Sequence, residues 1–432
     1  MIANSKTSST ASDEMKADSR AFPESSVNKP VVAKQRIMPM SWTRMFAPGT
    51  PADEELFLSA LQTRLGPGVR TIPLGRARAG IYLLSRIAVT GSRRKILMSP
   101  YTIPDVVTMV ILAGAEPVFF DFEPGSTTCD LASLKALIDS STAAVIVTHY
   151  HVNEPNLDAI ADICRRNGAF LFDDCAISFS GSIRDRPIGT LTDASVFSFS
   201  SFKLLNFFWG GLIATRNPQI AEAAGSAVSA WPRLKSSDYS GAARRCIQYD
   251  LATRPVTFRF LVFPFFTARL RLGATPRALE HTRIETAELD ATITSRPALA
   301  AFSEWRGKLH LVDKLLANRR AIARIYRQYL AHVMVSANTS ESGLEGACFV
   351  NFPVVLPRDS CRRIHGAMML AGFDVGRSLY PNSHRHPKFT GVAGHSANVD
   401  RLLANTIYLP THFGVSPAYA HALGKRLARE IN

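Results

Sequence analysis

From Lys95 onward the chain alternates short apolar runs with longer amphipathic ones. KILMSP (95–100), PVFFDF (117–122), AAVIVTHY (143–150), AFLFDD (169–174), SVFSFS (195–200) and GLIATR (211–216) are rich in β-branched and aromatic residues and predict strands. Between the first four lie DVVTMVILAG, DLASLKALIDS and NLDAIADICRRNG, whose helical period predicts three helices, the last closed by Gly168 as a C-cap. Strands joined by helices of this length imply right-handed crossovers and a mostly parallel sheet covered on both faces. Ligands of such sheets bind beyond the carboxyl ends of the strands. The polar residues that follow each apolar run are therefore the ones that carry chemistry.

Three of those places stand out. The stretch FSFSSFKLLNFFWGG (197–211) holds one charge, Lys203, among large apolar residues. A lysine there either snorkels to water or has a lowered pKa that frees its amine to attack a carbonyl. AFLFDDC ends a strand with Asp173 and Asp174, a pair of carboxylates that is costly to bury unless a cation meets it. PLGRARAGIYLL sets Gly75, Arg76, Ala77, Arg78 and Gly80 at a helix start, where backbone N–H groups and an arginine form a phosphate cradle. A carbonyl-trapping lysine, a carboxylate for a ring nitrogen and a phosphate site are the set that pyridoxal phosphate needs.

Composition narrows the class. The 432 residues include fifty Lys and Arg against thirty-five Asp and Glu, a net charge of +15 that attracts phosphorylated ligands, nucleic acid or an anionic membrane surface. No zinc-type CxxC, RNA-binding aromatic motif or long basic tract supports nucleic acid, and no metal is expected. Six scattered cysteines read as reduced thiols of a cytoplasmic protein. The polar opening MIANSKTSSTASDEMKADSR lacks the apolar core of a signal peptide. The expected organisation is a disordered tail over 1–40, a large cofactor-binding domain over 41–232, a basic and aromatic insertion over 233–295, and a smaller α/β domain over 296–432 entered through a connecting helix.

These residues resemble the DegT/DnrJ/StrS-type, pyridoxal-phosphate-dependent sugar aminotransferases of the aspartate aminotransferase fold. Ser198, Phe199, Ser200, Lys203, Gly210 and Gly211 fit that family's Ser-Phe-His-x-x-Lys stretch with its following Gly-Gly, Ser200 standing in the histidine place. DDCAI is similar to its acidic motif, AGAEPVFFDFEP (113–124) to its third-strand motif, residues 296–330 to its connecting helix and LLANTIYLPTH (402–412) to its closing motif. The resemblance implies a type I transferase fold. It implies Lys203 as the lysine that holds the cofactor and shuttles the proton, Asp174 on the pyridine nitrogen, and Ser198 with Arg76, Ala77 and Arg78 around the phosphate. Tyr101 is the nearest match to the stacking aromatic, and His384, His386 and Arg296 are candidate substrate contacts. It further implies a homodimer, an amino-acid donor (glutamate) and a keto-sugar on a nucleotide diphosphate as acceptor, in surface polysaccharide or glycoside biosynthesis.

Some positions depart from the pattern. Ile177 replaces a polar residue that contacts the cofactor, and Thr294, Ser295 and Arg296 stand where the family has Asn-x-Arg. A noncatalytic or regulatory relative and a sugar dehydratase are therefore the alternatives; the dehydratases have histidine in the place of Lys203. The stretch Leu251–Leu279 carries five arginines, five phenylalanines and no acid, with a longest uncharged run of nine residues, Phe260–Ala268. That is too short to span a bilayer. A dimer or domain contact is the preferred reading of the insertion, an interfacial membrane element the other.

Overall fold

Seven strands form the central sheet: β1 (Arg70–Leu74), β2 (Lys95–Met98), β3 (Glu116–Phe119), β4 (Thr142–Thr148), β5 (Phe170–Asp174), and, after the small hairpin β6 (Ser182–Ile183) and β7 (Arg186–Pro187), β8 (Ala194–Ser198) and β9 (Gly211–Thr215). Their order is β1-β9-β8-β5-β4-β2-β3. The pairs β3–β2, β2–β4, β4–β5 and β5–β8 are parallel, while β9 runs against both β8 and β1. Strands covered on both faces read as continuous apolar runs, and β4 is buried at every residue but its last. The edge strand β1 instead alternates toward burial.

The computed structural model describes residues 31–38, 47–272, 288–303, 305–331, 341–377 and 381–432, all within the unit Val31–Asn432. Helices Ala77–Ala88, Pro104–Leu112 and Pro218–Ser229 cover one face of the sheet with Leu74, Ile96, Ile146 and Ile213. The other face is closed by Pro51–Leu65, Leu157–Arg166 and Ser236–Thr253, which share a core with Leu97, Val145, Leu171, Phe197 and Leu212. Gly168 ends Leu157–Arg166 at φ 61, the left-handed conformation that the sequence pattern required of it.

A second sheet, β10 (Asn351–Val355), β12 (Thr406–Pro410) and β11 (Gly376–Arg377), is antiparallel, with β12 central. It shares a separate core with helices Val312–Leu330, Cys361–Leu370 and Pro417–Ile431. Residues 31–38, given to the disordered tail on composition, pack against this region. The Lys34 N–H donates to Asp374 Oδ2 at 2.7 Å, and His412 Nε2 lies 2.6 Å from the Ala33 carbonyl. Their short apolar run is diluted in the polar forty-residue window. Residues 1–30 and 39–40, also in that tail, lie outside the described residues, as do 273–287 of the insertion.

Candidate active site

Strands β4, β5 and β8 end side by side, and their last residues, Thr148, Asp174 and Ser198, line one cavity of about 350 Å³. Successive residues of β5 face opposite ways, so its two carboxylates part company. Asp174 lines the cavity, its Oδ1 accepting the Ala176 N–H at 3.0 Å. Burial raises its pKa, while that hydrogen bond, Lys203 and His149 pull it down. Asp173 is fully buried behind the strand, 3.1 Å from His149 Nε2. The other nitrogen of His149 accepts the Glu154 N–H at 3.2 Å, which leaves the proton on Nε2, toward Asp173.

Lys203 follows β8 in a turn fixed by its own N–H donating to Ser200 and by the Phe207 N–H donating to Phe199. Leu204, Leu205, Phe207 and Phe208 beside it are buried, so the ammonium group has little water to solvate it. Desolvation lowers the Lys203 pKa to about 8, with Asp174 pulling it back up. Phe208 sits at φ 63, a conformation that a bulky residue adopts only when its surroundings impose it.

The glycine pair has a geometric reason. A Cβ on Gly211 would meet the Ala77 nitrogen and Cα at 2.5 Å, and Gly210, at φ 115, bridges to Arg76. The pair thus lets the start of helix Ala77–Ala88 lie directly against the end of the sheet. That helix has no side-chain cap and no acidic residue in its first turn, so its leading N–H groups and positive dipole end are available to an anion.

The two arginines there differ. Arg78 is ion-paired with Asp105, both largely buried. Arg76 lies over the Trp209 ring at 3.7 Å, has no ion pair among the described residues, and has its pKa lowered to about 10, chiefly by burial. Arg76 Nε and Trp209 Nε1 are buried without a hydrogen-bond partner, and both residues line the cavity. Pyridoxal phosphate fits this donor set: an amine of lowered pKa, a carboxylate facing it, and an uncapped helix start with an unsatisfied guanidinium.

Lys203, Asp174, Ser198, Arg76, Ala77, Arg78 and Tyr101 all line this cavity. The Tyr101 ring is fully buried and its hydroxyl is bonded to that of Tyr408. Ile177 lines it too, where the family pattern has a polar side chain. His384, His386 and Arg296 do not. His384 lies between Ser396 Oγ and the Val392 carbonyl, His386 caps the turn at Lys388, and Arg296 bridges Arg233. The stretch SLYPNSHRHP around the two histidines gives no sign of these local partners.

The cavity also contains residues that sequence reasoning missed. Lys34 and Gln35 come from the assigned tail, and Asn351, Arg377 and Tyr408 from the second sheet. Nothing local marks them; only the closing of distant segments brings them in. Outside the cavity, donor atoms of His149, Asp173 and Cys175 lie within 4.8 Å of one another. Burial holds the Cys175 thiol well above its usual pKa.

Residues 71–230 match the model of the DegT/DnrJ/EryC1/StrS aminotransferase family. A spore coat polysaccharide biosynthesis protein, SpsC, of Bacillus subtilis is 27% identical over 172 residues, which cover 38% of this chain and 44% of the relative. The dTDP-4-dehydro-2,3,6-trideoxy-D-glucose 4-aminotransferase of Saccharopolyspora spinosa is 27% identical over 151 residues, 35% of this chain and 39% of the relative. The chain thus matches less than half the length of these curated relatives. In three dimensions the likeness is broader: Helicobacter pylori PseC, an aminotransferase involved in pseudoaminic acid biosynthesis, superposes with a TM-score of 0.71 at 14% identity, covering 93% of this chain and 99% of that one. The fold is therefore that of the type I transferases, as the resemblance implied. The match to the DegT/DnrJ/EryC1/StrS aminotransferase family model, residues 71–230, spans the sheet ends, the helix start and Lys203.

Proposed function

We propose that this protein is a pyridoxal-phosphate-dependent aminotransferase that carries nitrogen from an amino acid, glutamate, to a keto-sugar borne on a nucleotide diphosphate. The observation that carries the reading is the shared cavity of Lys203 and Asp174, with the uncapped start of helix Ala77–Ala88 in its wall. When bound there, the cofactor supplies an aldehyde for an amine and a pyridinium ring that draws electrons from the bond to be broken. Asp174 holds the proton on the ring nitrogen. Lys203 anchors the cofactor covalently, and its free amine takes the proton from the donor's α-carbon, a task that suits a base with a pKa near 8. Ser198 and the helix start bind the phosphate, with Arg76 beside them.

The acceptor class is supported by the dTDP-sugar aminotransferase among the relatives and by the basic side chains Lys34, Arg76 and Arg377 along the cavity. A nucleotide diphosphate is a dianion and suits that wall. A homodimer acting in the cytoplasm, in polysaccharide or glycoside biosynthesis, completes the proposal.

Incubation with pyridoxal phosphate, borohydride reduction and peptide mapping tests the anchor; label on any other lysine overturns it. Mass spectrometry of a panel of nucleotide keto-sugars incubated with ¹⁵N-glutamate then tests the transfer. One observation favours a second reading, a relative that binds the cofactor without turning over: apolar Ile177 lines the cavity in place of a polar contact. A cofactor spectrum that no amino acid alters supports that reading over ours.

A further inference from the structure

We propose that the helical segment Pro255–Arg271, with Leu272 after it, docks this protein on an anionic lipid surface. The segment is helical throughout, with one π-helical turn at Phe258–Val262. Its inner side is built from Phe258, Phe263 and Phe266, which form a small core with Ala33 and Met369. Its outer side is not covered. Val256, Phe260, Leu261, Phe265 and Leu272 are 72%, 67%, 70%, 54% and 84% exposed, and among the described residues no other large apolar side chain exceeds 50%. Scattered exposed leucines are ordinary, but five exposed large apolar side chains within seventeen residues form the kind of patch that marks an interaction site.

Charge selects the occupant. Arg254, Arg259, Arg269 and Arg271 are interleaved with these side chains, and Leu251–Leu279 contains no acidic residue. Arg259 lies over Phe260 at 5.6 Å and Arg269 over Phe265 at 5.7 Å, so the cations ride on the aromatics that would enter the interface. Asp250, which precedes the segment, is paired with Arg36 and Arg254. A second copy of this chain, meeting the same helix about a twofold axis, would set the arginines of one segment against those of the other, and Leu251–Leu279 offers no acid to pair them. An anionic bilayer surface offers apolar depth to the phenylalanines and phosphates to the arginines together. The mode is lying on the surface rather than crossing it: no helix among the described residues is long and apolar enough to span a membrane.

Cosedimentation of the full chain with vesicles of phosphatidylcholine containing phosphatidylglycerol, against phosphatidylcholine alone, tests this. The expected result is binding to the anionic vesicles only, weakening as salt rises. Replacing Arg259, Arg269 and Arg271 with Gln is expected to lower the partition coefficient roughly 100-fold. Replacing Phe260, Leu261 and Phe265 with Ser is expected to abolish binding while cofactor capture by Lys203 persists, which shows that the variant is folded. Absence of binding by the intact chain overturns the proposal, as does binding indifferent to both sets of substitutions. A dimer in sedimentation velocity that the Ser variant splits, with vesicles ignored, assigns the patch to a second copy instead.

Discussion

The cavity at the sheet's end and the exposed helix Pro255–Arg271 are inverse violations of one rule. In the first, charges sit where water is scarce: Lys203 and Asp174 are surrounded by Phe, Leu and Ile, and both pKa values move toward the neutral forms. In the second, apolar side chains sit in water among arginines. A chain that folds for stability alone avoids both arrangements, which is why a cofactor is proposed for the first and a lipid surface for the second. The difference lies in the protection around them. The cavity is closed by two sheets and eight or more segments distant in sequence, whereas the helix makes its patch from a single continuous stretch.

The largest test of the contrast is Lys203→Ala. It should remove covalent cofactor capture and lower transfer by about 10³-fold or more, with an unchanged far-UV circular dichroism spectrum, because a charge that lines a cavity and serves chemistry contributes little to the fold. Vesicle binding should be untouched. Next, Asp174→Asn should retain the cofactor and lose on the order of 100-fold in turnover, since the amide cannot hold the ring proton. Asp173→Asn, whose carboxylate faces His149, should affect turnover less and thermal stability more. The reverse ranking in steady-state kinetics would shift the reading of the acidic pair by one residue.

A third test uses pH on the cofactor-free protein. With the Lys203 pKa lowered to about 8, the ammonium form dominates below that pH and cannot attack an aldehyde, while the free amine dominates above it. Capture of pyridoxal phosphate, followed by absorbance, should therefore rise about tenfold per pH unit up to about 8 and then level, rather than climb to the usual lysine range. The smallest effect separates the arginines. Arg76→Ala should weaken cofactor binding several-fold in a titration, because backbone N–H groups remain to hold the phosphate. Arg78→Ala should destabilise the protein in urea unfolding, more than Arg76→Ala does, by removing the cation that meets buried Asp105.

Much of the sheet was legible in the chain because its strands are buried on both faces and read as unbroken apolar runs. AFLFDD and AAVIVTHY fall on β5 and β4 within a residue or two. The antiparallel sense of β9 and its pairing with β1 were not legible, because strand direction depends on the connection and not on the strand's own residues. The glycine pair was legible as spacing, but its purpose, the 2.5 Å approach to Ala77, is a tertiary fact.

The sequence by itself determined the alternation of strands and helices, the apolar setting of Lys203, the acidic end of β5 and the acid-free arginine and phenylalanine stretch. Each is a local pattern whose free energy depends on neighbours within a few residues. Only the tertiary structure decided that Asp174 and not Asp173 faces the cavity, and that Arg78 is paired with Asp105 while Arg76 is not. It also decided that Lys34 and Arg377 join the cavity and His384 does not, and that the outer half of the aromatic helix stays uncovered. Those outcomes depend on which distant groups meet, and burial and pairing between segments hundreds of residues apart leave no trace in any short stretch of the chain.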